Sequence, residues 1–571
     1  MPHPYYFSKF PLIVWQALPY EWIADRDVEN GARVNILMVR MARNEREHAA
    51  FAMTNNTAEP MTVAVTAECD GIPSDAIEVR RVVMLEGEQM GGSIVFNDFN
   101  EMWLKPELLE TVKGELQLAP KSTVHLWITI NSRNVSSGLH RGWVTLTIQG
   151  SADQPTRIPL KVEVWPFSLP EKTGLQILTY TSLSGPPELA EKIAKLQADR
   201  NVNMAYFEIP LTDEGRIDGS RYDWLQRLKI AKKWDFVPVF EAVDYSLDQI
   251  KKLGPLETVM HDLGFKNWLV AMSAEPLWEQ VPGVVERSKA LREVCPSAMT
   301  FHAVWNGFFN NEEWDMSALE ALDGNIGMYN MFHNYTMMDI FNLNRFRTWP
   351  RKVVDYLADE QKQGRWVTFY HNNYRSVSYR NASLAWFRPD GWYCWKYGFD
   401  GYRTWCGRSL PHYDAADHAG VKNQQMPLEK QPLGLFVYVH KIEGGEFEVV
   451  SCKRLEAWAD GVRDSMYLQI LDDLIHQADA SGDPKLKAMA EDAKATIDDC
   501  IEEVRMNNAN SYAYSSAKRR LALEIIKFNK AGLQPKLNAD GSVVRHRLVI
   551  QDNGYLLEDG GIERIEQQGA L

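Results

Sequence analysis

Trp268-Leu-Val-Ala-Met-Ser-Ala-Glu-Pro276 is a short apolar run that ends in a carboxylate and a proline. A run this short and apolar reads as a buried strand, and Pro276 fixes the chain where that strand leaves its sheet. Seven similar runs accompany it, at Leu175–Thr181, Asn203–Ile209, Phe236–Ala242, Met299–Val304, Ile326–Met331, Trp366–His371 and Gly401–Cys406. Stretches of helical period separate most of them, among them Pro187–Asp199, Tyr222–Lys233 and Val281–Val294. Eight strand–helix repeats predict a (β/α)8 TIM-like barrel rather than an open doubly wound sheet. The first strand is followed by Thr181-Ser-Leu-Ser-Gly-Pro-Pro187, which has neither dinucleotide nor P-loop spacing. No nucleotide cofactor is expected.

Before the barrel, residues 1–168 read as a β-sandwich. Met61–Thr66, Val124–Ile130, Trp143–Ile148 and Ile158–Val164 are β-rich and bounded by turn residues. The one hint of helix there is Lys105–Val112, and Trp165-Pro-Phe-Ser-Leu-Pro170 reads as a stiff linker. The barrel is placed at 169–453. Helical period returns at 454–531, expected to close the barrel and append further helices, and a tail at 532–571 holds a possible strand at Val543–Ile550. The fold class is thus multidomain: an N-terminal sandwich, a central barrel and a C-terminal helical extension.

Composition narrows the function. The 571 residues carry 62 Lys and Arg against 76 Asp and Glu, a net charge of −14, with no basic stripe to hold phosphates, so a nucleic-acid partner is not expected. No apolar stretch is long enough to span a bilayer. The N-terminus lacks a basic region followed by an apolar one, which suits either a cytoplasmic protein or one trimmed of its signal. The 6 cysteines show no metal-ligand spacing, and neither a metal nor another cofactor is expected. The 19 tryptophans are compatible with a sugar-binding cleft, because aromatic rings stack on the C–H faces of sugars, although large domains also bury many aromatics.

Active sites of such barrels lie at the C-terminal ends of the strands. Those ends deliver Glu208, then Glu241 with Asp244, Glu275, Trp305, Tyr329 and Asn330, Tyr370 with His371 and Asn372, and finally Arg403 and Trp405. Carboxylates that protonate and attack, amides that hold hydroxyls and rings that stack suit cleavage of an oligo- or polysaccharide. Glu275 emerges from an apolar wall that should raise its pKa, as a general acid needs. Glu241 or Glu208 is the candidate nucleophile or base. His371 suits a sugar hydroxyl or the core equally well, and Asp400 suits a turn at the opposite mouth.

Four segments resemble glycoside hydrolase family 123 and related barrel proteins. They are Met41-Ala-Arg-Asn-Glu-Arg-Glu47, Gly138-Leu-His-Arg-Gly-Trp143, Ala274-Glu275-Pro276, and Arg454-Leu-Glu-Ala-Trp-Ala-Asp-Gly-Val-Arg-Asp464 with Tyr467. The resemblance implies N-acetylgalactosaminidase chemistry, in which the substrate's acetamide attacks, an Asp orients it and the following Glu is the acid/base. Glu275 matches that Glu. The Asp position is Ala274, whose methyl group cannot orient an acetamide. Three readings stay open: a sugar without an acetamide and a second carboxylate from Glu208 or Glu241, another residue replacing the Asp, or a protein that binds sugar without cleaving it. In the 454–464 run, helical spacing also allows Arg454, Glu456 and Asp460 a structural role as internal ion pairs, and Asn44-Glu45 suits a turn or an inter-domain contact.

Overall fold

The computed structural model describes residues 10–23, 32–87, 103–183, 185–212, 214–274, 276–304, 317–322, 327–332, 351–371, 384–404, 436–441, 445–507 and 509–546. The chain forms two units, one of residues 1–173, 374–392 and 421–545, the other of residues 174–373, 393–420 and 546–571.

The first unit is the sandwich. A five-stranded sheet runs in the order Leu37–Arg43, Thr156–Ser168, Gly138–Ile148, Met61–Cys69 and Glu115–Leu118. Alternate residues such as Ile158, Leu160, Val162 and Val164 point to one face and pack with Phe51, Met53, Leu126 and Ile128 of the second sheet. That period of two is the burial pattern of a sheet with one dry side. The second sheet has seven strands, and its last two, Phe447–Cys452 and Val437–Lys441, come from far along the chain.

Three expectations need correction. Lys105–Val112 is not helical: Trp103–Thr111 is a strand paired antiparallel with Ile77–Gly87, because Leu108 and Leu109 are drawn into the core by long-range pairing. The supposed linker at Trp165 continues the strand Thr156–Ser168 past an irregularity between Val164 and Ser168. Trp165 and Phe167 there stack with centroids 6.3 Å apart and both meet the edge of Tyr467. Finally, the helices Lys453–Ala480, Pro484–Met506 and Ser511–Lys530 belong to the sandwich unit and do not close the barrel. The hairpin before them joins the seven-stranded sheet through Ser451 opposite Leu109 and Cys452 opposite Leu108, so the first helix starts against the sandwich.

That first helix is buried without interruption from Lys453 to Ile475. A helix with no solvated stripe must satisfy its charges internally. Arg454 donates to Glu107 at 2.6 Å and to the Tyr438 hydroxyl at 3.1 Å. Glu456 accepts from Arg80 at 2.7 Å and from Ser451. Asp460 accepts from Tyr20 and Arg463, each at 2.5 Å, and Asp464 holds Arg388 through Nε at 2.6 Å and Nη2 at 2.8 Å. The Trp392 indole also donates to Asp464. The charged residues therefore pair with strands and loops distant in sequence, in addition to the one-turn pair of Asp460 with Arg463. Gly461 permits the Arg388 contact, since a Cβ there would run into the Arg388 carbonyl oxygen. Asn44 turns at φ 59°, and the following Glu45 accepts from the Tyr467 hydroxyl at 2.5 Å and from Lys518 at 3.0 Å. The Asn44-Glu45 pair thus forms a turn that also ties the helices to the sandwich.

The second unit holds the closed, parallel eight-stranded barrel: Gln176–Ser182, Met204–Phe207, Val237–Glu241, Leu269–Ala274, Met299–Val304, Met328–Phe332, Trp366–His371 and Gly401–Thr404. Leu178 in the first strand pairs with Arg403 in the last, which closes it. Asp400 accepts from the Val367 amide and from Gln361, each at 2.7 Å, fixing the entry to the last strand as a turn residue. Of the tail, Val543 makes an isolated bridge with Leu537, and 547–550 lie outside the described residues.

Removing a partner from the buried ion pairs should be costly. Asp464→Asn removes the closer of the two countercharges of Arg388, leaving Asp460 at 3.3 Å, and is expected to destabilise the protein by about 3–5 kcal/mol. Asp479→Asn, at the surface pair with Lys494, should change stability by about 0–1 kcal/mol. Urea unfolding of both variants checks the contrast.

Candidate active site at the barrel mouth

The barrel interior is lined by Leu178, Met204, Val239, Leu269, Ala271, Phe301 and Met328, which sets the parity of the inward face. Continued along the second and third strands, the same parity reaches Glu208 and Glu241. Tyr206 pairs with Val239 and Phe207 with Phe240, so one more step sets Glu208 beside Glu241. Both are exposed. Neighbouring strands lie about 4.8 Å apart, so the two carboxylates spring from adjacent positions on one row. Trp224 fixes the first by donating its indole N–H to the Glu208 carbonyl at 2.7 Å.

Tyr245 joins them. Its hydroxyl donates to the Ile209 carbonyl at 3.2 Å. Burial pushes the phenol up, and the charges of Glu208 and Glu241 add to that, against Arg221. The hydroxyl is therefore within electrostatic reach of both carboxylates. Asp244 is exposed in the turn just before it. Arg287, on the helix Val281–Val294, anchors this turn: it donates to the carbonyls of Val243 at 3.1 Å, Tyr245 at 3.0 Å and Met272 at 3.2 Å. One guanidinium thus ties the loop after the third strand to the end of the fourth. Neither Tyr245 nor Arg287 was marked by strand-end position, because one lies beyond its strand and the other on a helix.

The fourth strand is irregular where it matters. Ala271 pairs with Phe301, but Ser273 pairs with His302 and Ala274 with Ala303, so one extra residue is accommodated between them. Such bulges re-aim the side chains beyond them and are common beside active sites. Glu275 comes directly after this strand in sequence and lies outside the described residues, as do Trp305, Asn372 and Trp405.

Arg403 lies inside the barrel and is buried. Its Nη1 donates to the Tyr206 hydroxyl at 2.6 Å, and its guanidinium carbon sits 4.9 Å from the Phe301 ring centroid and 5.1 Å from that of Tyr370. Residues of the second, fifth, seventh and eighth strands so meet around one cation, which favours aromatic faces. Arg403 and Tyr370 are brought together with Tyr206, the first two buried in the interior rather than standing open at the rim. Asn330 takes the register position opposite Ala303 and Thr368, and His371 that opposite Thr404.

Tyr329 is placed otherwise than expected. Its hydroxyl donates to Glu360 at 2.5 Å and meets the Tyr356 hydroxyl at 2.9 Å, both on the helix Arg351–Lys362. Met328 before it belongs to the interior, so strand alternation turns Tyr329 outward, away from any substrate. Burial, then Tyr356 and Glu360, push its phenol far up, and it stays protonated. His302 is a second outward group. Its Nδ1 lies 3.0 Å from Ser273 Oγ and its Nε2 3.4 Å from Ser288 Oγ. Burial, helped by Arg287, holds it at about 3.

Among the described residues no three His, Cys, Asp or Glu side chains gather as metal ligands, and no helix is long and apolar enough to cross a membrane. The arrangement offers two side-by-side exposed carboxylates and a phenol at the C-terminal end of the barrel strands, with a buried cation in the interior. That set can move protons and bind hydroxyls.

No family model matches the chain, and neither does any curated protein. Among solved structures, a family 123 glycoside hydrolase from Clostridium perfringens is similar with a TM-score of 0.61, covering 91% of this chain and 99% of its own at 12% identity. A Cellvibrio japonicus xylanase covers 73% of this chain and 91% of its own at 10% identity, with a TM-score of 0.33. A Bacteroides ovatus family 5 xyloglucanase covers 75% and 98% at 9% identity, with a TM-score of 0.27. The first is a likeness of fold; the other two superpose too loosely to carry weight.

His302 makes the barrel acid-sensitive. Its folded value of about 3 lies below the ordinary 6.5, so the unfolded chain binds the proton first. Its contribution is complete above pH 6.5 and is lost as pH falls from 6.5 towards 3. Between pH 7.5 and 5 the loss amounts to about 2 kcal/mol. His302→Gln, which keeps hydrogen-bonding capacity, should shrink the pH dependence of the urea midpoint over that interval.

Proposed function

We propose that the barrel hydrolyses a glycosidic bond in an oligo- or polysaccharide, with Glu275 as general acid/base and Glu241 as the second carboxylate. The observation that carries this reading is the shared row of Glu208 and Glu241 at the mouth, beside the strand that runs into Glu275. Ala274 stands where the resemblance implies an acetamide-orienting Asp. A second protein carboxylate then replaces the substrate's own nucleophile.

Glu241 pairs with Ala271 on the neighbouring fourth strand, whereas Glu208 is one strand further away. A carboxylate ~5–5.5 Å from the acid acts as nucleophile in retaining enzymes, and one ~6.5–9.5 Å away activates a water in inverting ones. Glu241 acting as nucleophile implies retention through a glycosyl-enzyme ester, whereas Glu208 acting as base implies inversion through an activated water. Arg403 with Tyr206 and Tyr370 forms the floor of the sugar site. Asp244, Tyr245, Asn330 and His371, with Trp305, Asn372 and Trp405 of the rim, supply its hydroxyl contacts and stacking faces. The reaction requires no cofactor.

The test uses aryl glycosides and natural oligosaccharides. Glu275→Gln should lower kcat by about 10²–10⁴-fold, since a general acid contributes that much. Glu241→Ala should lose turnover and regain it with azide, giving a glycosyl azide of inverted configuration, while Glu208→Gln should chiefly raise KM. Turnover indifferent to Glu275→Gln overturns the acid/base assignment. Anomeric inversion in the wild type moves the second role to Glu208. Saturable glycan binding with no product after long incubation favours the non-catalytic reading that Ala274 leaves open.

A further inference from the structure

The segment Gly138-Leu-His-Arg-Gly-Trp143 has no part in the barrel, yet the sandwich unit presents it to solvent. It opens the strand Gly138–Ile148, the middle strand of the five-stranded sheet. Residues on the other parity, Val144 and Leu146, enter the core, so Trp143 stands on the outer face, where it is 38% exposed. Pro159 lies directly opposite it on the next strand. Leu160 pairs with Leu37 beyond, which brings Ile36, 40% exposed, to the end of the same row. Three apolar side chains thus form a short flat strip across the sheet.

Cations border this strip. Arg157 lays its guanidinium 4.5 Å from the Trp143 ring centroid and stands 3.7 Å from Glu68. Arg141 and Lys161 face each other in register, two positions along from Trp143 and Pro159 and on the same face. Neither forms an ion pair with a described carboxylate. Like charges directly opposite on neighbouring strands weaken pairing. With their neighbours counted, Arg40, Arg141, Arg157 and Lys161 outnumber Glu68, Asp70 and Glu163 around this strip, a local positive charge in a chain of net charge −14.

We infer that this face binds an anionic glycan, with the indole edge and the apolar row under the sugar rings and Arg141 and Lys161 on their carboxylate or sulfate groups. A protein partner is a poorer fit, because a stable interface buries about 800 Å² on each side and three side chains supply far less. The choice of a glycan rests on the reading of the barrel as a glycosidase, and it sharpens that reading to an acidic polymer held on the sandwich.

Affinity electrophoresis of the full chain decides it, in gels containing chondroitin sulfate, polygalacturonate or neutral dextran. At least one acidic polymer should retard the protein and dextran should not. Trp143→Ala and the double change Arg141→Ser with Lys161→Ser should each weaken that retardation at least tenfold, and raising salt tenfold should weaken it in the wild type. Any hydrolysis of aryl glycosides should stay unchanged, since all three residues lie on the outer face of the sandwich, and the melting temperature of the double variant should not fall, because the change relieves a like-charge pair. Absence of retardation, equal retardation of the variants, or equal retardation by dextran overturns the proposal. A wild type without glycosidase activity defeats the barrel reading alone, because retardation is scored independently of turnover.

Discussion

Desolvated charge on the helix Lys453–Ala480 is the constraint around which the sandwich unit is arranged. Arg454, Glu456, Asp460 and Asp464 succeed one another along a helix with no wet side, and each needs a partner brought from elsewhere. Glu107 and Arg80 come from the sheet, Arg388 and Trp392 from the segment between the last two barrel strands in sequence, and Lys518 and Tyr467 meet at Glu45. Burial opposes the charge on Asp460 and Asp464 alike. At Asp460 it is outweighed by Arg388, His48 and Arg463, while at Asp464 it prevails over the same Arg388. Such networks add little over a well-packed apolar core, but a partly dismantled one is worse than either.

The barrel solves a smaller version of the same problem. Arg403 sits in the interior among Tyr206, Phe301 and Tyr370, which provide a hydroxyl and two ring faces. On the outer face, Tyr329 and Arg365 converge on Glu360. Arg287 uses three carbonyls to set the loop of Asp244 and Tyr245 against the fourth strand. Under the proposed glycosidase reading, a frame of this kind holds Glu208 and Glu241 to within the fraction of an ångström that reacting groups need.

The sandwich and barrel were legible because their signals are local. Alternation in Ile158–Val164 and apolar runs such as Trp268–Ser273 report burial directly through the period of the side chains. Glu241 and Glu208 were legible for the same reason, as polar residues where an apolar strand ends. Lys105–Val112 misled because its two leucines answer to a strand partner far away in sequence. Tyr329 misled because strand-end position alone does not say which face a residue takes; parity counted from Met328 does.

What the sequence determined by itself was the class of each segment and the inventory at the barrel mouth, since hydrophobic period and strand-end chemistry are written in neighbouring residues. Tertiary structure decided which unit the C-terminal helices join. It also decided that Glu208 and Glu241 share a row, that Tyr245 and Arg287 belong with them, and that the charges of the 454–464 run face the sandwich. The physical reason is the same throughout: register and ion pairing across hundreds of residues are set by what must be buried together, and no local pattern encodes the partner.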